Sequence, residues 1–88
     1  MTLAPPLHDA SILRQLAALE PGWHTAPDCA WALAGESYDA RGDILRLLGA
    51  LYKEGELQRL HVWQKDRPIA CYFLDSQRLL ALAEEAES

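Results

Sequence analysis

Cysteine is scarce in this chain, and Cys29 and Cys71, the only two, are too few for a disulfide framework or a four-ligand metal site. No C-x-x-C or H-x-x-x-H spacing links them with His8, His24 and His61, so no metal and no cofactor is expected. Neither cysteine has a basic sequence neighbour to hold a reactive thiolate, and no enzymatic activity is expected. Both read as small buried hydrophobes, with a redox switch as the alternative. Long apolar runs are missing too. No stretch approaches the ~18 residues of a membrane span, and the first residues show no basic patch followed by an apolar core. The expectation is a cytoplasmic protein with no membrane partner. Nor is there an excess of positive charge: 13 acids against 8 bases leave a net charge of −5, which taken whole argues against a polyanion binder.

What the chain does have is enough apolar matter for one core. Half of its 88 residues are hydrophobic, with three Trp, three Tyr and one Phe, so a single ordered domain is expected. Charge is unevenly spread. Residues 37–68 contain Arg41, Arg46, Lys53, Arg59, Lys65 and Arg67, six of the 8 cations, against five acids, while both flanks are acidic. Any polyanion would be met in that middle third.

Proline and glycine punctuate the rest. Pro5-Pro6 makes residues 1–8 an extended N-terminal arm, and the domain occupies 9–88. Ile12, Leu13, Leu16 and Leu19 recur at helical spacing behind Asp9 and before Pro21-Gly22, which predicts a helix over 9–20 with Trp23 and His24 in the connector. Thr25-Ala26-Pro27-Asp28 has the form of a helix start, and Gly35 of a stop. A second helix over 26–35 then buries Cys29 and Leu33, with Ala30 and Ala34 beside them. Asp39 can cap a third helix ending at Gly55, with Ile44, Leu48, Leu51 and Tyr52 as its core stripe. The β-prone runs 57–63 and 69–74 read as a hairpin with a charged tip at 64–68. Ser76 can cap a last helix with Leu79, Leu82, Ala83 and Ala86 on one side, and its three late glutamates oppose the helix dipole and favour fraying.

Leu33-Ala34, Ile44, Leu48, Leu51, Gly55 and Leu57, in this order of elements, resemble the winged helix-turn-helix superfamily of small bacterial transcription regulators. Arg67-Pro68-Ile69-Ala70-Cys71-Tyr72-Phe73-Leu74 is similar to the Arg-Pro-x-x-x-Tyr-x-Leu second wing strand of MarR-like and PadR-like repressors. The resemblance implies an α+β, mostly α, winged helix-turn-helix fold: a three-helix core, a two-stranded wing hairpin and a C-terminal helix. It also implies a dimeric transcription regulator that binds double-stranded DNA, with the third helix in the major groove and the hairpin tip on an adjacent phosphate or minor groove.

The candidate contacts follow from spacing. Asp39, Gly42, Arg46, Gly49 and Lys53 share the face opposite the Ile44/Leu48/Leu51 stripe, and Arg41 lies in the first turn. Arg46 and Arg41 are the expected base readers, because a guanidinium fork suits guanine or phosphate. Ser37 and Tyr38 would donate to phosphate, as would Lys65 and Arg67 at the tip. Leu79, Leu80, Leu82 and Ala83 are the candidate dimer surface, because Leu80 lies off the core stripe of the last helix.

A second function stays open: a winged-helix adaptor that binds protein. Leu45, Leu47, Gly49 and Ala50 stand where DNA-reading members often carry polar or basic residues, and the acidic total points the same way. Gly42 and Gly49 leave a small-residue strip that another surface can approach closely. Trp23, Trp31 and Trp63 read as core and edge packing rather than a base-stacking platform, since none sits in a basic run, with Trp63, next to the wing tip, the one for which stacking stays open.

Overall fold

Capping chemistry sets where the chain turns helical. In the computed structural model, which describes residues 8–87, α1 spans Ala10–Ala17. Asp9 caps it, its carboxylate accepting from the amides of Ser11 at 2.8 Å and Ile12 at 3.3 Å, donors that a helix start leaves unpaired. α2 spans Ala26–Ala34 with Thr25 as cap, Pro27 in the first turn and Gly35 at its end. α3 spans Tyr38–Lys53 and begins before the expected Asp39 cap: the Ser37 hydroxyl caps it by accepting from Ala40 N at 3.3 Å. Asp39 falls instead in the first turn, where its charge suits the positive end of the helix. α4 spans Ser76–Glu87, and Asp75 rather than Ser76 supplies the capping oxygen, to Arg78 N at 3.2 Å. Its acidic end, expected to fray, is helical through Glu87, whose carboxylate is held by both terminal nitrogens of Arg14. The expected arm at 1–8 lies outside the described residues except for His8, whose Nε2 sits 2.8 Å from Glu54 Oε2.

The main correction is a strand. Gly22–Thr25, read as a connector, is β1. It pairs antiparallel with one edge of β3 (Arg67–Leu74), and β2 (Arg59–Gln64) pairs with the other. The sheet therefore has three strands in the order β1-β3-β2 where the sequence indicates two. Four residues are too few to display alternation, and the partner that makes them a strand lies far along the chain. Trp23 pairs with Phe73 in that register, their rings 5.4 Å apart and edge-on at 78°.

The hairpin is tighter than expected. Gln64 pairs with Arg67, so the 64–68 tip contracts to Lys65-Asp66, both in the left-handed region at φ 48° and φ 67°, as a two-residue turn matched to strand twist requires. Pro68 is tolerated within β3 because a two-residue turn puts the Trp63–Pro68 pair at a non-hydrogen-bonded position. Its missing donor faces the side on which β1 reaches only to Cys71.

One buried cluster unites these elements: Leu13 and Leu16, Cys29 and Ala30, Ile44, Leu47, Leu48 and Leu51, Leu57, Tyr72 and Leu74, and Leu79, Leu82 and Ala83 among them. α1 packs on α4 and α2 on α3. Leu47, expected on the outer flank, is buried, and Tyr52, expected in the core, is partly exposed with the Arg59 guanidinium 3.8 Å above its ring. The same core absorbs three of the four residues assigned to a dimer surface. Leu79, Leu82 and Ala83 are buried within the protomer, and only Leu80, 46% exposed, faces outward.

Candidate functional site

Because Ile44, Leu47, Leu48 and Leu51 turn α3 inward, Tyr38, Asp39, Gly42, Asp43, Leu45, Arg46, Gly49 and Lys53 occupy its open or half-open surface. Ser37 and Tyr38 stand exposed at its start. The Ser37 hydroxyl accepts from Ala40 N yet keeps its proton to donate, and the Tyr38 side chain lies largely in solvent at 81% exposure.

Arg46 pairs with Asp43, one turn earlier on the same face, and the two side chains are 74% and 59% exposed. An open pair of this kind contributes at most about 1 kcal/mol, so Asp43 is readily exchanged for another anion. The pair lines two recesses: one of about 340 Å³ with Tyr38, Asp39, Arg41, Gly42 and Leu45, and one of about 430 Å³ with His8, Asp9, Ile12, Leu47 and Ala50 at the start of α1.

Arg41, near the start of α3 as expected, turns its side chain back toward α2. Its Nη1 donates to the Gly35 carbonyl oxygen at 2.7 Å, and its guanidinium stacks 4.5 Å from the centre of the Trp31 ring. Gly35 holds φ 55° and ψ −130° at the end of α2, a conformation open to glycine and strained for any side chain. Arg41 thus fastens the α2–α3 turn, and of the two arginines Arg46 is the one left on the open face of α3. Nothing in the sequence signals the Trp31–Arg41 stack, which depends on the angle between two helices.

The remaining expected contacts are open. Lys53 lies in the last turn of α3, Lys65 in the hairpin turn and Arg67 directly after it; among the described residues none of the three has an ion-pair partner. The fold itself does not demand glycine at 42 or 49. A Cβ on Gly49 would meet nothing within 4 Å, and one on Gly42 only the Arg46 Nη1 atom at an ordinary 3.6 Å. Both cysteines are buried and free. Burial and the neighbouring Asp28 push the Cys29 thiol up to about 11, the reverse of what a nucleophile needs. Trp63, the tryptophan left open beside the wing tip, is 76% exposed, and Trp23 and Trp31, read as packing, are 45% and 54% exposed. No helix among the described residues is long and apolar enough to cross a membrane.

No protein-family model, no curated protein and no solved structure matches this chain.

Proposed function

We propose that this chain is a winged-helix domain that binds duplex DNA sequence-specifically and regulates transcription, with α3 in the major groove and the β2–β3 hairpin as the wing. One observation carries the reading. Outside residues 37–68 both cations, Arg14 and Arg78, are neutralised by Glu87 and Glu56. Within that stretch Arg41, Lys53, Arg59, Lys65 and Arg67 have no carboxylate partner among the described residues, and Arg46 has only its exposed pair with Asp43. The net charge of −5 thus leaves one region able to meet phosphate, and that region is a helix face and a hairpin tip. The order α1-β1-α2-α3-β2-β3 with sheet order β1-β3-β2 supports the winged-helix assignment. In this reading two copies pair through the outer side of α4 at Leu80, engaging half-sites ~34–36 Å apart.

A protein-binding adaptor is the second reading. It is favoured by Leu45, 42% exposed beside Tyr38 on the same face.

Fluorescence anisotropy on a preferred and a scrambled duplex, titrated in salt from ~50 mM upward, tests the choice. Arg46→Ala is expected to cost ~1–3 kcal/mol on the preferred duplex and much less on the scrambled one. Arg67→Ala is expected to weaken both alike and to reduce the salt slope by about one unit for each phosphate that is no longer neutralised. Wild type that shows no salt-dependent binding to either duplex sinks the DNA reading and hands the α3 face to a protein partner.

A further inference from the structure

The three tryptophans are not equally occupied. Trp23 packs edge-on against Phe73, and the Arg41 guanidinium covers the face of Trp31. Trp63, the most exposed of the three at 76%, has neither a ring nor a cation against it among the described residues. Its position is set by the hairpin. It is one residue short of Gln64, at which β2 enters the turn, and its cross-strand neighbour is the exposed Pro68. An indole placed there buries little area and adds little to folding. Two cations without acid partners lie at the same tip, Lys65 in the turn and Arg67 at the start of β3, with Asp66 between them in sequence; as the partner of Gln64, Arg67 is on the ladder face opposite Trp63 and Pro68.

A flat apolar ring at a tip that also carries unpaired positive charge selects its partner by two properties at once, a planar π-face and a neighbouring anion. Nucleotides carry both. An acidic peptide or a lipid headgroup brings charge without the face, and an apolar protein surface brings area without the charge. We propose that Trp63 is a stacking site for a nucleobase presented outside the regular stack, with Lys65 and Arg67 on the adjoining phosphates. The inference rests on the DNA reading above and deepens it: the tip then does more than touch the backbone, and it prefers DNA in which a base face is accessible. Such a face comes either from a kinked step within a duplex, where a side chain wedges between bases, or from an unpaired base at a duplex end.

The test compares wild type, Trp63→Phe and Trp63→Leu on three probes: a blunt duplex, the same duplex with a short single-stranded flank, and that flanked duplex carrying 2-aminopurine at the junction. Since Trp63 is largely exposed, both variants are expected to melt as wild type does. The phenyl ring keeps a π-face and the leucine keeps only apolar volume. Trp63→Phe is therefore expected to hold most of the affinity and the 2-aminopurine response, while Trp63→Leu loses about tenfold and the response with it. A loss confined to flanked probes assigns the site to an unpaired base, and an equal loss on the blunt duplex assigns it to a kinked step. Trp63→Leu binding every probe as tightly as a salt-sensitive wild type overturns this inference and leaves the DNA reading standing. Equal losses in both variants without a 2-aminopurine response overturn it as well, since bulk and not a π-face is then being read. A wild type that binds no probe removes the DNA reading itself, and this inference with it.

Discussion

Arg41 and Arg46 are the same residue type five positions apart on one helix, and their surroundings separate them. Arg41 finds the Gly35 carbonyl oxygen at 2.7 Å and the face of Trp31, so its charge serves the α2–α3 turn. Arg46 finds only Asp43, across an exposed helix surface. Glycine shows the same dependence on context. Gly35 is required by its backbone, whereas Gly49 has ordinary helical geometry and open space around it. Gly49→Ala is accordingly expected to raise stability by up to about 1 kcal/mol, the difference in helix propensity. On the proposed reading the same methyl stands between α3 and its ligand and weakens binding. Thermal melting together with DNA anisotropy checks both halves: a variant that is stabilised and binds unchanged would show that no partner approaches α3 at this point.

Between elements, one electrostatic contact ties the segment after α3 to α4. Glu56 accepts a hydrogen bond from Arg78 Nε, and that bond, helped by the charge of Arg78, holds the Glu56 carboxyl below its ordinary 4.5 against the opposing effect of burial. A carboxyl depressed by folding stabilises the native state above its unfolded value and loses that contribution as pH falls through the folded value. Urea unfolding of wild type and Glu56→Gln is therefore expected to show wild type more stable at neutral pH, with the gap closing below about pH 4.5. A gap that does not change with pH would assign the difference to packing. How far each element can be read from the sequence depends on where its determinants lie. The helices are readable because Asp9, Thr25 and Gly35 act within a few residues of themselves, and even the shifted start of α3 replaces one local cap by another. β1 is not readable, since its hydrogen bonds come from β3. The compact tip is half-hidden as well, because Lys65 and Asp66 take left-handed conformations that hairpin turns usually give to Asn and Gly. The candidate site follows the same divide. The positions of Arg46, Lys53, Lys65 and Arg67 come from spacing, whereas the capture of Arg41 and the exposure of Trp63 are tertiary facts.

Across the described residues, the charge map leaves the open cations in one region. Leu79, Leu82 and Ala83 are taken up by the core, and Arg14 and Arg78 by glutamates, so among the described residues α1 and α4 keep no open cation and one large exposed apolar side chain, Leu80. α3 and the hairpin keep open cations, exposed aromatic groups and glycines the fold does not need. On the proposed reading these two elements together form a single DNA-binding surface. Amide chemical-shift mapping of the isotope-labelled protein, during titration with duplex DNA at ~50 mM salt where phosphate contacts are strongest, probes that surface residue by residue. Shifts are expected to concentrate in Ser37–Lys53 and in Trp63–Pro68 and to reverse on addition of salt, with α1 and the inner face of α4 quiet. Shifts confined to α1 and α4, or none on saturation with DNA, would contradict the proposed surface.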